Sequence, residues 1–204
     1  MTDQLKWDDH YVGQLQPGDR PVLLLVDMVS AYLETDSPLY MASANAALLA
    51  SKRLLEAARS AKIPVIYTTV RYLPDGSDGG HFFRKVPALS VWAGKNKFGF
   101  IPEILAPRAI EPIFTKQYPS AFFNTGLNAH LRTLGVNTVL LAGYSTSGCV
   151  RASALDALQH GFIPIVAADG CADRSRQIHD ANLYDIGKKY AEVQNVDDIL
   201  LWLK

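Results

Sequence analysis

Apolar residues in this chain come in blocks, and the blocks alternate between two periods. Pro21-Val-Leu-Leu-Leu-Val-Asp27 is a continuous apolar run closed by a carboxylate, the pattern of a strand buried on both faces. Leu39 to Ala61 is rich in Ala and Leu, with Lys52, Arg53, Glu56 and Arg59 spaced along it, which predicts an amphipathic helix. Ile63 to Val70 reads as a second strand, with Pro64 tolerable only at its start. A long irregular stretch from Arg71 to Pro112 follows, holding Gly76, Gly79, Gly80, Gly94 and Gly99; loops this long tend to be lids or binding loops. Ile113 to Lys116 is a short strand, and a helix is expected from about Asn124 to Leu134.

The second half repeats the alternation. Val136 to Ala142 is a strand, and a turn bounded by Gly143 and Gly148 leads into a helix from about Cys149 to His160, with Gly161 as its C-cap. Phe162 to Ala168 is a further strand, then a helix from about Asp180 to Lys189, a strand Ala191 to Gln194, and a last helix Val196 to Leu203. Strand–helix alternation predicts a three-layer α/β/α, Rossmann-like fold with a mostly parallel six-stranded sheet. With no repeat or long linker, one domain over residues 1–204 is expected, residues 1–20 forming an N-terminal arm. In such sheets ligands bind beyond the carboxyl ends of the strands, near the point where strand order reverses.

Composition narrows the function classes. Twenty Lys+Arg against 20 Asp+Glu leave a formal net charge of +0, without the basic excess of a nucleic-acid binder. Two cysteines, Cys149 and Cys171, are too few for a disulfide framework. The N-terminus carries charges where a signal peptide has an apolar core, and no apolar run approaches the ~18 residues of a membrane span. The expectation is a soluble, cytoplasmic protein without nucleic-acid or membrane partners.

Three strand-end positions bear complementary chemistry. Asp27 ends the first strand, Lys116 ends the third, and Cys149 opens the helix after the fourth. Each alone has an ordinary reading: a structural carboxylate, a solvated lysine, a small buried thiol. Together they fall at one sheet edge. A helix N-terminus and an ammonium favour a thiolate, and a carboxylate can take the thiol proton and pass it to a leaving amine. The turn Gly143-Tyr-Ser-Thr-Ser-Gly148 can aim backbone N–H groups at a developing oxyanion. The chemistry suggested is acyl transfer from a carbon–nitrogen bond to Cys149, then hydrolysis.

The segment Gly143-Tyr-Ser-Thr-Ser-Gly-Cys-Val-Arg-Ala152 resembles the nucleophile turn of the isochorismatase-like cysteine hydrolases. Leu25-Val-Asp-Met28 and Thr115-Lys-Gln-Tyr-Pro-Ser-Ala-Phe122 match the segments that carry that family's Asp and Lys. The resemblance runs from about Pro17 onward. It implies a catalytic set of Asp27, Lys116 and Cys149, a cis peptide between Tyr144 and Ser145, and an oxyanion hole from the amides of Ser145 or Thr146 and of Cys149. Relatives with Gly or Ala at the cysteine position cleave a vinyl ether, so Cys149 points to amide or ureide hydrolysis. Asp173-Arg174, His179 to Asp185, Lys189 to Val193, Lys85 to Leu89 and Tyr118 to Phe123 are similar to the N-carbamoylsarcosine amidase and maleamate amidase branch. That branch implies Arg174 gripping a substrate carboxylate, as a guanidinium fork does well; Thr146 is a further candidate for holding it. Tyr118 and Tyr32 are further candidates for the substrate site. It also implies a homotetramer, to which an N-terminal arm around Trp7 and Tyr11 could contribute. The substrate expected is a small carbamoyl, ureido or amide acid, N-carbamoylsarcosine-like, with maleamate or another small amide as the alternative.

Other residues carry competing readings. Nicotinamidases of the superfamily bind a metal through an Asp-x-His pair after the second strand; Asp75, Asp78 and His81 lack that spacing, so no metal and no cofactor is expected. Tyr144 either shapes the pocket wall or packs on the sheet. Cys171 reads as a structural thiol, and Trp92, Phe98 and Phe100 as a substrate lid or a subunit contact. Gly143-Tyr-Ser-Thr-Ser147 approaches a serine-hydrolase elbow, with Asp169 and His179 downstream, but its last glycine is replaced by Ser147. A nucleotide-binding module would show Gly-x-Gly-x-x-Gly after the first strand, where Asp27-Met-Val-Ser-Ala-Tyr32 stands instead.

Overall fold

The β-rich apolar blocks form the middle layer. In the computed structural model, which describes residues 10–11, 13–94 and 97–203, β1 (Pro21–Val26) lies at the centre of a six-stranded sheet with β2 (Val65–Val70), β3 (Ile113–Lys116), β4 (Thr138–Tyr144), β5 (Ile163–Ala172) and β6 (Glu192–Gln194). The order is β3-β2-β1-β4-β5-β6 and every pairing is parallel. Side chains of β1 alternate between two cores, which is why the whole run is apolar. Leu23 and Leu25 face one core with Leu54 of helix α1 (Ala44–Ser60) and Ile199 of α6 (Val196–Trp202). Val22, Leu24 and Val26 face the other, with Leu131 of α3 (Leu127–Thr133), Ala154 of α4 (Arg151–Gln159) and Ile186 of α5 (Arg176–Lys189). The fold is therefore the three-layer parallel α/β/α arrangement expected. No helix among the described residues is long and apolar enough to cross a membrane.

The differences from the sequence expectation lie at element ends and in the long segment. Between residues 71 and 112 the described residues hold a short helix α2 (Gly80–Lys85) and four 3-10 turns. The end next to β3 is fastened: Arg59 of α1 donates from Nε and Nη2 to the two Glu111 oxygens, at 2.8 and 2.7 Å, a two-point ion pair. Helix α1 starts at Ala44, after Pro38 and a run of turns, and not at Leu39. Helix α5 starts at Arg176, four residues before the expected Asp180, because Ser175 caps it by accepting the Ile178 amide. β5 runs on to Ala172, past the expected Ala168, through an irregular register against β4. In the N-terminal arm Tyr11 is exposed, while Trp7 lies outside the described residues.

Candidate active site

Strand order reverses between β1 and β4, and the reactive side chains gather where those strands end. Asp27 leaves β1 with φ 51°, a left-handed conformation that turns the chain out of the sheet. Beside it, β4 approaches so closely that a Cβ on Gly143 would sit 2.0 Å from the Val26 carbonyl oxygen; at φ 143° this position requires glycine. The Tyr144–Ser145 peptide that follows is cis. Thr146–Val150 then forms a π-helical turn before α4. Cys149 thus lies inside a wide helical turn, not at the first position of a regular helix.

Lys116 ends β3, two strands from β1, a gap of roughly 10 Å that suits a long side chain. Its ammonium lies 2.7 Å from Asp27 Oδ2 and 3.4 Å from Cys149 Sγ, and donates to the Tyr118 carbonyl at 3.0 Å. Both charged side chains are fully buried. Asp27 Oδ1 accepts the Thr68 hydroxyl from β2 at 2.7 Å, while Oδ2 lies against the ammonium at 2.7 Å. A buried ion pair survives desolvation only with such support.

Burial pushes the Cys149 thiol up to about 12; the Lys116 charge opposes that shift and the Asp27 charge adds to it. Burial alone would lower the Lys116 ammonium, but the Asp27 carboxylate and Cys149 outweigh it and hold it above its ordinary value. With the Lys116 ammonium beside it, the sulfur has a fixed positive charge to offset the negative charge that grows as the thiol loses its proton.

Cys149 opens onto a cavity of about 660 Å³. One end is polar, with Ser145, Ser147, Asp173 and Arg174; the rest is apolar, with Leu39, Met41, Phe82, Val86, Leu89 and Trp92. Tyr32 lines it too, its ring 5.7 Å from Trp92 and 5.2 Å from Tyr144. Burial holds the Tyr32 phenol well above its ordinary value, with the Cys149 and Asp27 charges adding to the shift, so it is a donor at any working pH. Arg174 keeps its side chain 67% exposed, 3.4 Å from Asp173 Oδ1 and 3.5 Å from the Ser147 hydroxyl.

Two of the expected substrate contacts are placed elsewhere. Thr146 is fully buried; its hydroxyl donates to the Ala172 carbonyl at 3.2 Å and shares a 2.8 Å hydrogen bond with His179 Nδ1, so it faces away from any carboxylate in the cavity. Tyr118 packs its ring on Phe82 and Phe123 while its neighbour Pro119 lines the cavity. In the turn, Gly148 and Val150 both donate to the Ser145 carbonyl, and Ser147 donates to Asp173, so these three amides are already engaged. Tyr144 packs in the core with its hydroxyl donated to the Ala44 carbonyl. Trp92 is buried in the cavity wall, whereas Phe100 is exposed.

The serine-hydrolase constellation does not assemble. His179 contacts Thr146, and Asp169 accepts the Val196 amide at the start of α6. Asp75 and Asp78 accept backbone amides of their own loop, and His81 pairs with Arg84. Among the described residues no three His, Cys, Asp or Glu side chains are grouped to hold a metal ion.

Residues 21–198 match the isochorismatase domain model. A maleamate amidohydrolase from Pseudomonas putida is 40% identical, over 100% of this chain and 98% of its own. The chain belongs to the isochorismatase family. Within it, an N-carbamoylsarcosine amidase from Arthrobacter is 31% identical over 91% of this chain and 72% of that one. Among solved structures, a cysteine hydrolase from Pseudomonas syringae superposes with a TM-score of 0.88 at 25% identity, covering 93% of this chain and 95% of that one. The family and its branch are those the sequence resembled, and the amidohydrolase and the amidase are both named as hydrolases of carbon–nitrogen bonds other than peptide bonds.

Proposed function

We propose that this isochorismatase-family member is a cysteine-dependent amidohydrolase of a small carbamoyl, ureido or amide acid, releasing ammonia through a thioester on Cys149. The observation that carries the reading is the buried Asp27–Lys116–Cys149 contact set opening onto a cavity with one cationic end. Cys149 Sγ attacks the carbonyl carbon while its proton passes to the Asp27 carboxylate. Lys116 offsets the charge growing on sulfur, and the amides of Ser145 or Thr146 and of Cys149 hold the oxyanion. Asp27 returns the proton to the nitrogen, the carbon–nitrogen bond breaks and ammonia leaves. Water then adds to the thioester with Asp27 as base, and the acid departs as Sγ regains its proton.

Arg174 receives the substrate carboxylate with the exposed part of its guanidinium. Tyr32, which also lines the cavity, is the second candidate contact for the bound substrate. Maleamate and N-carbamoylsarcosine, named by the relatives, share the carbonyl–nitrogen bond and the carboxylate, and both fit this reading. The expected homotetramer belongs to the same proposal, in which the long segment after β2 serves as lid or subunit contact. The test is ammonia release across maleamate, N-carbamoyl amino acids and ureides, with Cys149→Ala run beside the wild type. Turnover of an amide acid that Cys149→Ala abolishes supports the reading; equal turnover by both proteins sinks it.

A further inference from the structure

The amides of the nucleophile turn and the guanidinium of Arg174 would have to be held at a fixed separation for one substrate to reach both. The residue touching both is Asp173. It is 2% exposed, lines the cavity and is the first residue after β5. Its Oδ2 accepts the Ser147 amide at 2.6 Å, fixing the peptide plane two residues before Cys149. Its Oδ1 accepts the Arg174 amide at 2.9 Å and lies 3.4 Å from Arg174 Nη1. Its carbonyl accepts the Ser43 hydroxyl at 2.9 Å, so Ser43 ties this strap to the start of α1 and leaves the helix end uncapped. Both carboxylate oxygens are therefore spent inside the protein, and neither is placed to exchange protons with a substrate.

We propose that Asp173 is a positioning residue that sets the distance between the oxyanion amides and the carboxylate-binding guanidinium. This rests on the cysteine-amidohydrolase reading given above. Fixed donors stabilise a transition state because they need no reorganisation when charge develops, so a loosened turn lowers kcat even for a substrate that never meets Arg174. A released Arg174 raises KM for acids only. The two halves of the role thus separate by substrate and by kinetic constant.

The test compares wild type, Asp173→Ala, Asp173→Asn and Arg174→Ala on an amide acid and on its neutral amide analogue, per active site titrated by iodoacetamide. Asp173→Ala is expected to lose roughly 100-fold in kcat on both substrates. Asn keeps an oxygen for the Ser147 amide but loses the charge beside Arg174. Asp173→Asn should therefore recover at least about tenfold of that kcat while keeping a raised KM for the acid alone. Arg174→Ala should raise KM for the acid at least about tenfold more than it raises KM for the neutral amide. If Asp173→Ala is folded and turns over the neutral amide within about threefold of wild type, the proposal is wrong. If Asp173→Ala does not fold, Asp173→Asn decides: a KM rise confined to the acid supports the role, and equal effects on both substrates overturn it. Failure of the cysteine reading looks different, since Cys149→Ala would then remain active whatever Asp173 does.

Discussion

The two cysteines occupy similar burial and opposite chemistry. Cys149 and Cys171 are both buried, and burial pushes each thiol up to about 12. Cys171 sits within β5, paired in register with Gly143, where a backbone hydrogen bond from Gly143 is the main influence opposing burial. Cys149 sits beyond a strand end, with an ammonium 3.4 Å away and, against that ammonium, an Asp27 carboxylate close enough to act on the thiol as well. Burial alone makes an inert thiol; charge partners at a strand end give one a way to lose its proton during attack.

Substitutions can break that contrast in a graded way. Cys149→Ala is expected to lower kcat by about 10⁴-fold or more with the fold intact, as removal of a nucleophile does, measured by ammonia release. Asp27→Asn follows, with about 10³-fold lost, because proton transfer goes and Lys116 is left as a buried charge. Thermal unfolding of Asp27→Asn should also show a cost of about 3–5 kcal/mol for the orphaned ammonium. Cys171→Ala should stay within about threefold of wild type in kcat/KM, since it touches neither charge. A Cys171→Ala protein as dead as Cys149→Ala would erase the distinction.

The raised thiols also predict how stability responds to alkali. Both folded values lie above the ordinary 9.0, so each thiol's contribution is complete below 9.0 and is lost as pH rises towards about 12. Urea midpoints should fall between pH 8 and pH 10, and fall less in Cys171→Ala, which removes one of the two contributions. His179 works in the other direction: burial lowers its pKa, so its share is complete above 6.5 and fades as pH drops below that. Equal alkaline slopes in wild type and Cys171→Ala would contradict this account.

The sheet and its reactive edge were legible because buried parallel strands are unbroken apolar runs, and Asp27, Lys116 and Cys149 stand where those runs stop. The Ser145-Thr146 turn was also visible, but not that the Thr146 hydroxyl turns inward to His179, a contact 33 residues away in sequence. Asp173 was readable only as the partner of Arg174 in a motif. Its hold on the Ser147 amide depends on β5 running four residues further than its apolar pattern, and nothing periodic marks that extension. The short turns between residues 71 and 112 were hidden for the same reason, since 3-10 turns leave too few residues to show a period. Ser175 was a missed signal that local chemistry did offer, a serine ahead of a helix with a free first-turn amide to cap.

The central claim is that Cys149 carries the acyl group. Enzyme mixed with an amide acid, quenched in acid within a turnover and weighed intact, should gain the mass of the substrate less ammonia, and peptide mapping should place that gain on Cys149. Turnover with no adduct under conditions that trap thioesters, or an adduct that persists in Cys149→Ala, would contradict it.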